Sequence, residues 1–252
     1  MSELNNNKNS ASFGYKKVTE TEKTTLVDNV FTSVTERYDL MNDLMSFGVH
    51  RFWKKYFLLC SNIKKGEKVL DLAAGTGDIT KLISRAVGDS GKVVSCDINY
   101  AMLSQGRDNL IDAGYMKNIF YVQSDAQSLS FQENSFDHVT MAFGLRNTAN
   151  IGKALESIYK ILKPGGSIQV LEFSKAEKII EKPYGIFLNK VIPLLGKYVA
   201  KDEDSYKYLA ESIDMHPSQN DLIKIMKNSN FKNCKFNNLS FGVVSIHKGF
   251  KI

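Results

Sequence analysis

The stretch "VLDLAAGTGD", Val69–Asp78, runs from an apolar strand into the turn Gly75-Thr76-Gly77 and on into a helix. Glycines let a backbone pass close to a ligand, and a helix start offers unpaired N–H donors. A lone G-x-G also serves plain structural turns, so its surroundings matter. Asp97 ends the next apolar run, 22 residues beyond Gly75, where a carboxylate can accept both hydroxyls of a ribose. Such spacing predicts a nucleotide site at the carboxyl ends of neighbouring strands.

The same pattern repeats outward. "GKVVSCDIN", "NIFYVQSDA", "FDHVTMAFG" and "GGSIQVLEFS" are short apolar runs ending in polar or glycine-rich turns, with helix-length segments between them. Runs buried on both faces and joined by crossover helices predict a mainly parallel α/β sheet. Pro164, Gly165 and Gly166 predict a sharp turn into the fifth strand. Residues 184–216 interrupt the alternation with two or more helices; a helix from Ser218 to Met226 and a hairpin of strands 232–240 and 242–248 close the chain. Upstream, Leu26, Val27, Val30, Phe31 and Val34 predict an amphipathic helix over about 20–37. A second helix is expected from Trp53 to Cys60, with "YDLMNDLMSFGVHRFW", 38–53, bending between them. The reading gives a disordered arm at 1–15, a helical lid at 16–62 and a main domain at 63–252 with a helical insert at about 180–216.

Composition narrows the function classes. Of 252 residues, 43% are hydrophobic and 24% charged, as in a folded domain, and the net charge of +6 is scattered, giving no block suited to nucleic acid. Three distant cysteines, Cys60, Cys96 and Cys234, suggest a reducing compartment, and the four histidines lack metal-ligand spacing. No secretory signal and no run of the ~20 apolar residues needed to cross a bilayer is expected. A dinucleotide fingerprint would want a third glycine at position 80, where this chain has Thr80, and Asp71 and Asp78 crowd the turn with negative charge. Two carboxylates suit a ligand carrying an ammonium and a sulfonium better than a diphosphate. In "SDA", Asp125 can accept from an adenine amine while the Ala126 N–H donates to the ring; the plainer role for Asp125 is a helix cap. S-Adenosylmethionine therefore fits better than NAD.

With Asp71-x-Ala73-x-Gly75-x-Gly77 the sequence resembles the class I methyltransferases, Ala73 standing in for a glycine at what is expected to be an L-allowed backbone position. "YDLMNDLMSFGVHRFW" and "LKPGGSIQVLEFS", with "FGLRNTAN" (143–150), "DSYKYLAESIDMHPSQ" (204–219) and "GVVSIHKGF", resemble more narrowly the ubiquinone/menaquinone biosynthesis C-methyltransferases, over residues ~13–252. The resemblance implies a seven-stranded, mostly parallel Rossmann-like sheet with its last strand antiparallel and helices on both faces. It implies methyl transfer from S-adenosylmethionine, without a metal, to a ring carbon of a polyprenylated benzoquinol or of demethylmenaquinol. Family cofactor contacts carry over to Thr76, Asp97, Asp125 and Ala126, and the whole candidate cofactor set adds Asp71, Ala73, Gly75, Gly77, Ile98 and Ala142. Ala142 stands where some relatives have Ser, which leaves its backbone carbonyl for the cofactor's ammonium.

Carbon methylation needs the ring carbon about 3–3.5 Å from the methyl group and in line with it, phenolate character on the ring, and removal of a ring proton. The catalytic candidates are Arg146, His50, Asn147 and Tyr38. Arg146 either stabilises a phenolate or is a salt-bridge partner; His50 either takes a proton or is structural. Asn147 holds a quinol oxygen or caps the next helix; Tyr38 and Asp39 line the cavity, or Asp39 is a cap; His216 is a candidate turn residue before Pro217. Phe31, Met41, Met45, Phe47 and Trp53 add apolar bulk around an oily acceptor. "YGIFLNKVIPLLGKYVA", 184–200, with Lys190 and Lys197 amid apolar residues, either packs on the sheet or touches the inner membrane from the cytoplasm; the same surface suits a second copy or a partner in quinone biosynthesis. Rival readings are a same-fold enzyme for small soluble phenols, an adenosine-nucleotide binding module without activity, and an NAD oxidoreductase. A nucleic-acid methyltransferase is disfavoured because "AFGLRN" replaces an N-P-P-Y signature.

Overall fold

A computed structural model describes residues 10–200 and 202–252. In chain order the elements are β1 (Ser10–Phe13), β2 (Lys16–Thr19), α1 (Glu20–Val34), α2 (Tyr38–Ser46), α3 (His50–Ser61), β3 (Lys68–Leu72), α4 (Asp78–Val87), β4 (Lys92–Asp97) and α5 (Tyr100–Asp112). They continue as β5 (Ile119–Gln123), β6 (Phe136–Ala142), α6 (Ile151–Ile161), β7 (Leu162–Phe173), α7 (Lys178–Ile186), α8 (Ile192–Leu195), α9 (Glu203–Met215), α10 (Gln219–Asn228), β8 (Lys232–Leu239) and β9 (Val244–Phe250). The main sheet has seven strands in the order β5-β4-β3-β6-β7-β9-β8, with β9 antiparallel to both of its neighbours. The expected Rossmann-like class I architecture is what the chain adopts.

Period-2 alternation builds two cores. Val69, Val93 and Leu171 face one side with Phe57 of α3 and Ile79 and Ile83 of α4. Their neighbours Leu70, Leu72, Val94 and Cys96 face the other side with Leu155 and Ile158 of α6 and Met226 of α10. Burying each such side chain contributes about 1.5–3 kcal/mol before chain entropy is subtracted. Helix α3 is fastened to the sheet at several points. Gln169 Nε2 donates to the Phe57 carbonyl at 2.7 Å, Lys248 Nζ donates to the Ser61 carbonyl at 2.9 Å, and Trp53 Nε1 donates to Ser240 Oγ at 2.9 Å.

Three expectations need correction. Residues 1–9 of the expected arm lie outside the described residues, but Ser10–Phe13 pair antiparallel with Lys16–Thr19. Phe13 stacks on Tyr208 of α9 with ring centroids 4.1 Å apart, and the Tyr15 hydroxyl reaches Asp214 at 3.1 Å, so tertiary contacts order a segment of weak local preference. The stretch 38–53 is not a bend: Tyr38–Ser46 is helical and ends on Phe47 at φ 49°. Pro164-Gly165-Gly166 does not precede the fifth strand of the main sheet but sits inside it as an irregularity, between the pairings Phe136↔Leu162 and His138↔Ser167.

Candidate active site

The parallel strands deliver their carboxyl ends to one cleft enclosing about 750 Å³, mouth included, and α1 and Tyr38 form its other wall. Thr19 starts α1 with a capping box, its hydroxyl accepting from the Glu22 N–H while the Glu22 carboxylate accepts from the Thr19 N–H. Along the helix, Thr24, Val27, Asp28 and Phe31 face the cleft. Lys23 Nζ donates to the Thr148 carbonyl at 2.8 Å, and burial lowers its pKa to about 8.

Asp97, 8% exposed at the end of β4, accepts from the Gly75 N–H at 2.8 Å and the Asn99 N–H at 2.9 Å. Burial raises its pKa while these backbone donors pull it down, and each oxygen keeps a lone pair for a ribose hydroxyl. Asn99 caps α5 through the Met102 N–H and donates from its amide to Asp28 Oδ1 at 2.8 Å and Thr32 Oγ1 at 2.8 Å, tying α1 to the ribose corner. Asp125 does act as a cap, accepting from the Gln127 N–H at 2.9 Å, yet it lines the cleft together with Ala126 and Ile98. Gly75 and Ala142 also line it; Gly77, at φ 89°, lines neither cavity and instead supplies the left-handed turn into α4.

Ala73 lies at φ 54°, so the expectation of an ordinary L-allowed conformation there is wrong: β3 ends in a left-handed kink that brings residue 73 against Gly144. A Cβ on Gly144 would sit 2.4 Å from the Ala73 Cβ, so the absence of a side chain at 144 is what admits the alanine.

Asp71 and Thr76 face a smaller adjoining cavity of about 320 Å³, which shares Tyr38, Ala73, Ala142 and Phe143 with the main cleft. The Asp71 carboxylate accepts from Thr80 Oγ1 at 2.6 Å and Thr140 Oγ1 at 2.9 Å, and burial pushes its pKa up to about 7. Asp78 pairs with Lys54 Nζ at 2.7 Å; burial would raise its pKa, but Lys54 holds it low. The two carboxylates of the expected charge argument are thus an internal hydrogen-bonded acid and a neutralised ion pair. The negative side chains of the main cleft are Asp28, Asp97 and Asp125.

Arg146 takes the plainer of its two expected roles. Its guanidinium lines neither cavity and pairs with Glu172 Oε1 at 2.8 Å, with side-chain exposures of 5% and 0%. It also holds the Phe143 carbonyl and donates to Ser212 Oγ at 3.3 Å. Its neighbour Asn147 does line the cleft, donating Nδ2 to the Phe143 carbonyl at 3.3 Å and accepting from the Tyr208 hydroxyl at 3.0 Å. It caps no helix, because Asn150 caps α6. Tyr38 lines both cavities, and burial raises its pKa. His50 lines neither; its Nε2 meets Asp43 Oδ1 at 3.0 Å, and burial lowers its pKa. The Asp39 side chain lies outside the described residues. His216 is the residue at the end of α9, with its pKa pushed down to about 3 by burial. Among the described residues no His, Cys, Asp and Glu cluster could hold a metal.

Asp28, Lys54, Asn99, Glu172 and Tyr208 were missed by sequence reasoning. Asp28 had a local signal, a carboxylate inside the apolar face marked by Val27 and Phe31; Glu172 had another, a carboxylate within the buried run "IQVLEF" that demands a cation.

A family model for the ubiE/COQ5 methyltransferase family matches residues 16–251. The "Ubiquinone/menaquinone biosynthesis C-methyltransferase UbiE" of Pseudoalteromonas translucida is 52% identical over 240 residues, 95% of this chain and 96% of the relative. The protein of the same name from Escherichia coli O1:K1 / APEC is 50% identical over 242 residues, again 95% and 96%. Among solved structures, a SAM-dependent methyltransferase from Aquifex aeolicus superposes with TM-score 0.60 at 17% identity, covering 79% of this chain and 89% of that one. One from Thermotoga maritima, described as a possible histamine N-methyltransferase, gives 0.63 at 16%, covering 89% and 99%. These two likenesses speak for the fold alone.

Proposed function

The chain belongs to the ubiE/COQ5 methyltransferase family and is an S-adenosylmethionine-dependent methyltransferase; from that premise we propose that it methylates a ring carbon of a polyprenylated quinol. The acceptor is 2-polyprenyl-6-methoxy-1,4-benzoquinol, demethylmenaquinol or both, in ubiquinone and menaquinone biosynthesis. The observation that carries this reading is one cleft combining carboxylates with the apolar walls of Val27, Phe31, Met141 and Phe143 and the oriented amide of Asn147.

When bound, S-adenosylmethionine supplies an electrophilic methyl group on a cationic sulfur. Asp97 fits its ribose hydroxyls, the Ala126 N–H and Asp125 its adenine, and the Ala142 carbonyl its ammonium. On the acceptor side, the amide of Asn147 has only one workable orientation. The Phe143 carbonyl can only accept, so Nδ2 must face it, and Tyr208 must then donate to Oδ1. The second Nδ2 proton is left to hold a quinol oxygen. Tyr38, kept a neutral phenol by its raised pKa, is a second donor. Two donors at the oxygen favour phenolate character, and α1 excludes water from the reacting carbon. Arg146 and His50 support the frame, Arg146 by fixing the Phe143 carbonyl to which Asn147 is tied.

Incubation of purified protein with S-adenosylmethionine and reduced, short-tailed prenyl benzoquinol or demethylmenaquinol should yield ring-methylated product by mass spectrometry. Turnover of a tail-less phenol as fast as the prenylated quinol would assign the protein to small soluble acceptors. Absence of product from both quinols, with S-adenosylhomocysteine still bound, would overturn the quinol reading.

Among the described residues no helix is long and apolar enough to cross a membrane. We propose that the chain is cytoplasmic with peripheral contact to the inner membrane through residues 184–200. There Ile186, Leu194 and Tyr198 are 57%, 54% and 74% exposed beside Lys190 and Lys197, and Phe47, 80% exposed, touches Phe187. Flotation with anionic liposomes at low salt should carry the protein and be lost in Leu194→Glu/Tyr198→Glu. No flotation of the unaltered protein would remove the contact, and a shift to a defined dimer would give the surface to a second copy.

A further inference from the structure

Lys54 is a buried cation at the smaller cavity, its side chain 9% exposed and its ammonium paired with one carboxylate, Asp78, at 2.7 Å. The stem cannot drift away from the site, because α3 is fastened to β7 through Gln169, to β9 through Lys248 and to the β8–β9 turn through Trp53. Asp78, by contrast, is 48% exposed in its side chain and can turn its carboxylate to water. An ammonium has three donors, and the Asp78 bond occupies one. The cavity sets the Lys54 ammonium beside the hydrogen-bonded Asp71 and the partly exposed Asp78, and opens on the same Ala73, Ala142 and Phe143 wall as the nucleoside cleft. A buried cation beside the Ala142 backbone is the pattern of a receptor for an α-amino acid zwitterion, a donor for its carboxylate and a carbonyl for its ammonium.

We infer that Lys54 binds the carboxylate of the cofactor's amino-acid end, taking it in exchange for or alongside Asp78, and thereby selects amino-acid-bearing adenosyl thioethers over ones that lack the carboxylate. The inference rests on the S-adenosylmethionine assignment. It gives α3 a recognition role that its packing alone does not require. The bland competitor is that Lys54 merely neutralises Asp78 at the start of α4.

Isothermal titration of the full-length protein separates the two. The probes are S-adenosylhomocysteine and its decarboxylated analogue, which keeps the adenosine, thioether and ammonium. The unaltered protein is expected to bind the analogue more weakly by on the order of 10- to 100-fold, the range of one charge-assisted contact. In Lys54→Met, which preserves the stem, S-adenosylhomocysteine should weaken by about that factor while the analogue moves by less than about 3-fold, so that discrimination disappears; Lys54→Arg should restore most of it. Asp78→Asn should keep the discrimination, because it removes only the resting partner. Equal weakening of both probes in Lys54→Met, or an unaltered protein that does not distinguish them, overturns the inference. So does an Asp78→Asn variant that loses discrimination as fully as Lys54→Met, which would make the ion pair itself the requirement. Failure of the unaltered protein to bind S-adenosylhomocysteine at all would instead fell the cofactor reading, and this inference with it.

Discussion

Arg146→Ala should lose about 3–5 kcal/mol of folding stability, the range for breaking a buried ion pair from one side. Glu172, with no exposed side-chain surface, would keep a carboxylate without its cation, and the Phe143 carbonyl and Ser212 hydroxyl would lose a donor. The backbone N–H groups of Arg146, at 3.2 Å, and Phe173, at 2.9 Å, would remain on Glu172, too weak a counterweight for a full charge. Denaturant titration reads the loss directly. The double change Arg146→Met/Glu172→Leu should recover part of it, because two apolar groups need no ionic partner, while the Arg146 and Phe173 N–H groups lose their acceptor. If Arg146→Ala stays within about 1 kcal/mol of the parent while turnover drops more than about 100-fold and S-adenosylhomocysteine still binds, the guanidinium acts on the acceptor and the assignment to the frame is wrong.

Asp97→Ala should weaken S-adenosylhomocysteine binding by at least about 100-fold, a free energy near 3 kcal/mol. The ribose would lose its acceptor, and the site would also lose its shape. The Gly75 and Asn99 N–H groups would be left buried and unpaired, each at about 1–3 kcal/mol. Asn99 carries the α5 cap and the amide bonds to Asp28 and Thr32, so disorder there would pass to α1. Asp97→Asn preserves the outline and one carbonyl acceptor and should fall between the two. Calorimetry and hydrogen exchange of α1 amides report the two effects separately. Binding of S-adenosylhomocysteine within about 5-fold of the parent in Asp97→Ala would place the nucleoside elsewhere.

Both predictions turn on how far residues can be read along the chain. The parallel sheet, the glycine turn and Asp97 were legible because strand alternation, turn chemistry and strand-end position are local properties. Asn147 and Tyr38 line the cleft, whereas Arg146 was drawn there by its place just past a strand end, and its partner Glu172 sits 26 residues away on β7. Lys54 faces Asp78 from 24 residues upstream, and Tyr208 reaches Asn147 from 61 residues downstream; no spacing rule announces either pair. The charge of Asp71 was misjudged for the same reason, since only the folded chain buries it and so raises its pKa to about 7, against the pull of the Thr80 and Thr140 hydroxyls. The hairpin at Ser10–Thr19 escaped notice because its order comes from Tyr208, Glu211 and Asp214.

The kink at Ala73 restricts how this protein can change over generations. Gly144 has φ −109°, a backbone any amino acid tolerates, so its lack of a side chain is dictated by the methyl group across from it. The two positions therefore mutate in a fixed order: a glycine must first appear at 73 before alanine becomes admissible at 144. Each neutral-looking replacement is conditional on the other, a two-site epistasis set by one methyl's worth of space.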